Sequence, residues 1–127
     1  MRTSVWVAIA LLVIVIAFGV WSAGVMDRLS SRYISAAEEL LVLAQDEQWQ
    51  RAHEVTVAYR ESWSDTMAWL RTMVVHEDMD AVELSLKRIQ AGIEAQDQSL
   101  CYEGCFELRE YADHLSHRNS FTLGNIL

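Results

Sequence analysis

The chain has 127 residues, 52% of them hydrophobic and none of them proline, and its formal net charge is −8. This length accommodates one membrane segment and one compact unit but no second globular domain. A single lysine and scattered arginines form no cluster of positive charge, which excludes a nucleic-acid partner.

The first feature along the chain is a long apolar segment. Arg2 is the only charged residue before Asp27, and about 20 apolar residues suffice to cross a hydrocarbon core of about 30 Å. Trp6 and Trp21 lie near the two ends, where indole rings favour the headgroup level. We therefore predict that residues 1–26 form a transmembrane anchor in the lipid bilayer.

A cleaved secretory signal is the alternative for this segment. Ser22, Ala23 and Gly24 would supply the small residues of a cleavage site. The apolar run is longer than the 7–15 residues of a typical signal core, which favours the anchor.

The charges on either side of the apolar segment bear on its orientation in the membrane. Arg2 lies on one side of the segment, and Arg28 and Arg32 lie on the other, so the positive-inside count nearly balances. The short N-terminal tail favours a cell-membrane protein with its N-terminus inside and its domain extracytoplasmic.

Residues 27–127 form an acidic region with helical periodicity. Apolar residues recur in alternating steps of three and four, which places them on one helix face. The pattern predicts a stalk helix at 27–46, helices at 48–75, 79–96 and 98–117, and a C-terminal tail at 118–127. Asp80 and Glu83 have the spacing of a helix N-cap. The predicted fold is all-α: an N-terminal transmembrane helix continuing into a small antiparallel bundle, with about four helices in total.

Several short motifs point to a known family. They are Trp49 with Ala52, Trp63, His76 with Asp80, the SLKRI segment 85–89 and the terminal NIL segment 125–127. The whole chain resembles the domain of unknown function 4363 family, small single-pass membrane proteins of Gram-positive, often endospore-forming bacteria. The resemblance implies the membrane anchor and a neighbouring membrane protein as partner, and it implies no catalytic residues. Many relatives have small residues where this chain has Cys101 and Cys105.

The two cysteines lie four residues apart and share a helix face. They could ligate a metal or form a redox pair, but they also lie on the buried stripe, where cysteine packs as a small hydrophobe. His114 lies about 13 Å from Cys105 along a helix, too far for both to bind one ion. Core packing is therefore the favoured interpretation of the cysteines, and exposure is favoured for His114 and His117.

The turn at residues 76–80 is the strongest remaining metal candidate. His76, Asp78 and Asp80 could bind a hard cation, but they match neither the zinc-protease motif nor the EF-hand loop. Carboxylates at a helix start also stabilise the helix dipole, so capping is favoured and no metal or other cofactor is predicted.

Four residues are candidates for contact with a partner. Trp69 lies off the apolar stripe of its helix, and the stalk stripe offers Leu29, Tyr33 and Leu40. No phosphate-binding loop, nucleophile elbow or nucleotide fingerprint occurs, so we predict that the protein is not an enzyme.

Three functions remain open at this point. The first is an anchored accessory module that binds another membrane protein. The second is a membrane-tethered ligand or cation sensor that uses the turn from His76 to Asp80. The third is a homo-oligomeric spacer in which stalk helices pair between copies.

Overall fold

A computed structural model describes the backbone of residues 1–70 and 76–126 and the side chains of residues 1–70 and 79–116. The described residues form four α-helices. They are α1 (Arg2–Gln45), α2 (Trp49–Leu70), α3 (His76–Glu94) and α4 (Gln98–Ile126). The predicted all-α fold, a long apolar N-terminal helix followed by a helical bundle, is confirmed.

The second half of α1 and the other three helices form an antiparallel bundle in which α4 returns to α1. Ser116 on α4 donates a hydrogen bond to Asp27, and Gln98 at its other end donates one to the carbonyl of Ala44. Hydrogen bonds join the remaining neighbours: the Tyr33 hydroxyl donates to the backbone carbonyl of Tyr59 (α1–α2), Arg60 donates to Gln90 (α2–α3) and Arg88 donates to Glu107 (α3–α4). The four described helices therefore form a closed ring.

The connections after α1 and after α3 have the same pattern of backbone hydrogen bonds. The amide of Gln48 donates to the Leu43 carbonyl and the amide of Glu47 to that of Ala44, which is the Schellman pattern at the end of α1. Residues 92–97 repeat the pattern at the end of α3. The left-handed position of each motif holds a residue other than glycine, Glu47 at φ 55° and Gln96 at φ 52°.

We expect Glu47→Gly and Gln96→Gly each to stabilise the bundle by about 1 kcal/mol, because glycine avoids the steric cost of left-handed backbone. Chemical unfolding of the full chain in mild detergent measures the change. Glu103→Gly is the matched control, since this exposed residue lies inside α4, where glycine should cost about 1 kcal/mol. Destabilisation by all three substitutions would contradict the expectation.

Helices α3 and α4 approach each other closely at two glycines. A Cβ added to Gly92 would lie 2.8 Å from Cys101 Sγ, and one added to Gly104 would lie 2.8 Å from Ile89 Cγ1. Both distances are shorter than a normal van der Waals contact. The absence of a side chain at these positions therefore sets the spacing of the two helices.

The bundle leaves most of the apolar half of α1 uncovered. By length and composition, α1 is the one helix among the described residues that could cross a membrane, and none of its most apolar stretch is buried. Val15, for example, is 66% exposed. The same helix continues without a break into the core, where Met26 is only 3% exposed.

Three predicted boundaries need correction. Helix α3 begins at His76, so Asp80 and Glu83 lie within the helix and are not its cap. It ends at Glu94, two residues before the predicted end, because Gln96 adopts the left-handed turn. Segment 118–127 is not a separate tail, since α4 continues through Ile126. Polar residues do not by themselves stop a helix, and no proline interrupts either segment.

Candidate interaction surfaces

The stalk residues predicted to contact a partner lie inside the bundle. Leu29, Tyr33 and Leu40 are 8%, 0% and 1% exposed, because α2 and α4 cover this face of α1. This prediction is corrected: the apolar stripe of the stalk is satisfied within the chain. Pairing of the same stripe between copies would require the bundle to open.

Tyr33 is the centre of an aromatic cluster between α1 and α2. Its hydroxyl donates to the Tyr59 carbonyl at 3.3 Å, and its ring packs edge-on against Trp63 at 4.9 Å between centroids. Burial raises the pKa of Tyr33, and burial together with the Glu39 hydrogen bond raises that of Tyr59. Both hydroxyls therefore remain protonated donors at neutral pH.

The cysteines lie in the core, as their stripe predicted. Cys101 is 0% and Cys105 is 3% exposed, and neither forms a disulfide. Burial raises the pKa of both thiols, that of Cys105 to about 12 with a contribution from Cys101. Since the thiolate is the reactive form, these residues act here as packing groups.

We expect the free energy of unfolding to fall as the pH rises from 9 toward 12, because the unfolded chain releases thiol protons that the folded chain retains. The contribution of Cys105 to the free energy of unfolding is fully present below pH 9 and is lost progressively between pH 9 and about 12. Chemical unfolding of the wild type and of Cys105→Ala across this range measures the effect. The variant should show a shallower fall, and equal slopes would contradict the burial account.

Of the three predicted metal candidates, only Asp80 has a described side chain. The side chains of His76 and Asp78 lie outside the described residues, and Asp80 is exposed on α3. Within the described part of the chain, no three His, Cys, Asp or Glu side chains are grouped to hold a metal ion. His114 is exposed, and its ring lies 6.4 Å from that of Tyr111; the side chain of His117 is not among those described.

A cleft of about 530 Å³ separates parts of α2 and α3. Arg60 spans it to hydrogen-bond Gln90, and Trp63 lines it. The buried indole N–H of Trp63 has no acceptor among the described residues. Trp63 therefore contributes to the position of α2 through the packing of its ring, since its indole N–H forms no hydrogen bond with the described residues.

A second groove, lined mainly by apolar side chains, lies between α1 and α4. Its volume is about 300 Å³, and Leu41, Tyr102 and Phe106 supply its apolar lining. Phe106 is 71% exposed, although phenylalanine usually packs inside. An ion pair of 3.8 Å between Glu38 and Arg109 lies at its rim. We call this surface the α1/α4 groove.

Sequence reasoning did not identify this groove. The groove requires α1 and α4 to be neighbours, and periodicity within each helix does not show which helices pair. Phe106 nevertheless carries a signal in the sequence, because it lies off the buried stripe of α4, as Trp69 does on α2. A large aromatic residue outside the core stripe indicates a second contact surface.

Trp69 is the remaining candidate, and the structure places it against the apolar half of α1. It is 44% exposed, and its ring lies 6.1 Å from that of Trp21. Phe18 extends the group, 5.9 Å from Trp21. These three aromatic residues therefore mark the end of the bundle from which the apolar helix projects.

Comparison with known families accounts for nearly the whole chain. The model of the family described as "Domain of unknown function (DUF4363)" matches residues 20–126. The chain belongs to this family. The DUF4363 match covers the bundle and begins one residue before Trp21, so most of the exposed apolar segment precedes it.

The other comparisons add no activity to this DUF4363 protein. No curated protein and no solved structure matches the chain. Its functional assignment therefore depends on the surfaces described above.

Proposed function

We propose that this DUF4363 protein is a single-pass membrane-anchored accessory module that binds another membrane protein and has no catalytic activity of its own. One observation carries the anchor: the exposed apolar half of α1 and the buried half that supports the bundle belong to one continuous helix. The core helix of a soluble domain would bury both halves. The bilayer supplies the missing cover for the first half.

The N-terminus lies inside the cell in this proposal, and the bundle lies on the extracytoplasmic face of the cell membrane. A C-terminal fusion to alkaline phosphatase should be active, and a fusion to green fluorescent protein should be dark. The reverse result would invert the orientation and leave the anchor in place.

The α1/α4 groove is the proposed site for the protein partner. Leu41 lies 20 residues beyond Trp21 on the same helix, which is about 30 Å along the axis. Lipid headgroups extend only about 5–8 Å from the hydrocarbon core, so the bilayer does not reach the groove. An amphipathic helix of a neighbouring membrane protein would bury Phe106, and Glu38 and Arg109 would fix its polar edge.

The proposal is tested by placing a photo-crosslinking amino acid at position 106 of the full chain in native membranes. We expect an adduct with one membrane protein. Phe106→Ser, tested by affinity capture, should reduce recovery of the same protein at least tenfold, a loss equivalent to about 1.4 kcal/mol. Leu84→Ser is the matched control, because Leu84 is 51% exposed on α3, outside the groove.

Two results would contradict the partner proposal. Equal recovery with Phe106→Ser and Leu84→Ser would remove the groove from the interface. An adduct only between two copies of this chain would favour the homo-oligomeric spacer, with the groove and not the stalk stripe as its contact.

A further inference from the structure

We propose that Trp21 and Trp69 together place the membrane-proximal end of the bundle in the headgroup layer of the bilayer. In this arrangement α2 contacts lipid as well as α1. This inference rests on the proposed membrane anchor and adds a second contact with the same bilayer. Trp69 contacts the lipid headgroup layer in this proposal, and contact of Trp69 with a protein is the alternative that the experiment tests.

The position of Trp21 sets the level of the contact. A hydrocarbon core of about 30 Å takes up about 20 helical residues, so a core that begins after Arg2 ends close to Trp21. Tryptophan favours this boundary because its ring is apolar and its N–H can remain hydrated. Trp21 is 47% exposed, which leaves a large part of its ring for lipid.

The ring contact brings Trp69 to the same level. The centroids of Trp21 and Trp69 lie 6.1 Å apart, a separation comparable to the thickness of about 5–8 Å of the headgroup layer. Trp69 lies off the core stripe of α2, and 44% of it is exposed. An exposed indole at the end of a helix next to an apolar span has the chemistry of an interfacial residue.

Arg28 places a positively charged guanidinium group on α1 just beyond the Trp21–Trp69 pair. It is exposed about two turns after Trp21. Its Nη1 lies 3.6 Å from the position that a Cβ on Gly24 would occupy. The guanidinium therefore extends back along α1 toward the apolar span. A lipid phosphate suits a cation at this depth.

Fluorine NMR of the full wild-type chain, labelled with fluorotryptophan in phosphatidylcholine nanodiscs, tests the inference. The probe is a small fraction of lipid that carries a nitroxide near the top of its acyl chain. The signals of Trp21 and Trp69 should broaden several-fold more than that of Trp49. Trp49 is the internal control, because it lies on the same helix as Trp69 but about 30 Å away.

The possible results separate this inference from the anchor. Broadening of Trp21 but not of Trp69 would overturn the inference and leave the anchor intact, with the surface of Trp69 then available to a protein. Equal broadening of Trp49 and Trp69 would also overturn it. Absence of broadening at both Trp6 and Trp21 would overturn the anchor itself. Single Trp→Phe variants serve only to assign the signals.

Discussion

Trp63→Ala should lower the free energy of unfolding by about 3–5 kcal/mol, the largest effect that we expect from one side chain. Trp63 is the largest fully buried side chain among the described residues, at 1% exposure, and its ring packs edge-on against Tyr33. Its loss leaves a cavity between α1 and α2, where the ring packs against Tyr33. Guanidinium unfolding of the full chain in mild detergent, followed by circular dichroism, measures the change.

Trp63→Phe is the matched variant, and its cost should be about 1 kcal/mol or less. Phenylalanine retains an aromatic ring for the Tyr33 contact and removes the indole N–H that has no acceptor among the described residues. Removal of that buried donor offsets part of the lost packing. If Trp63→Phe destabilised the bundle as much as Trp63→Ala, the indole N–H would have a stabilising role that contradicts this account.

Gly92→Ala should destabilise the bundle by about 1–3 kcal/mol, although alanine is the better helix former. The new methyl group would lie 2.8 Å from Cys101 Sγ and 3.0 Å from the Cys101 backbone nitrogen. A side chain can rotate away, but the backbone of α4 moves only if the two helices separate. The same unfolding titration measures the loss.

Gly24→Ala is the control for this substitution. Its Cβ would meet only Arg28 Nη1, at the ordinary contact distance of 3.6 Å, so this variant should be neutral or up to about 1 kcal/mol more stable. Equal effects of the two substitutions would show that close approach does not set the spacing of α3 and α4.

Helical periodicity predicted the buried stripes well. The residues that follow the steps of three and four are buried on both helices: Val82, Leu86, Ile89 and Ile93 on α3, and Cys101, Cys105, Leu108, Ala112 and Leu115 on α4. Apolar side chains three and four residues apart share a helix face, and in a small bundle that face must be covered. The stripes therefore indicate the core without reference to its three-dimensional arrangement.

The surfaces between helices were not predictable in the same way. The stalk stripe was recognised as apolar, but only the return of α4 shows that Leu29 and Leu40 are covered within the chain. The α1/α4 groove joins Leu41 to residues more than 60 positions later. Gly92 and Gly104 also gain their role from the neighbouring helix. Such features depend on which helices pair, and that information is not local.

The intact mass of the protein recovered from carbonate-washed native membranes is the most direct test of the membrane anchor. The account predicts an uncleaved chain in the membrane pellet, with the apolar half of α1 still attached to the bundle. A bundle released into the wash, with a mass that corresponds to cleavage near Ser22–Gly24, would contradict it. The apolar segment would then be a removed signal sequence.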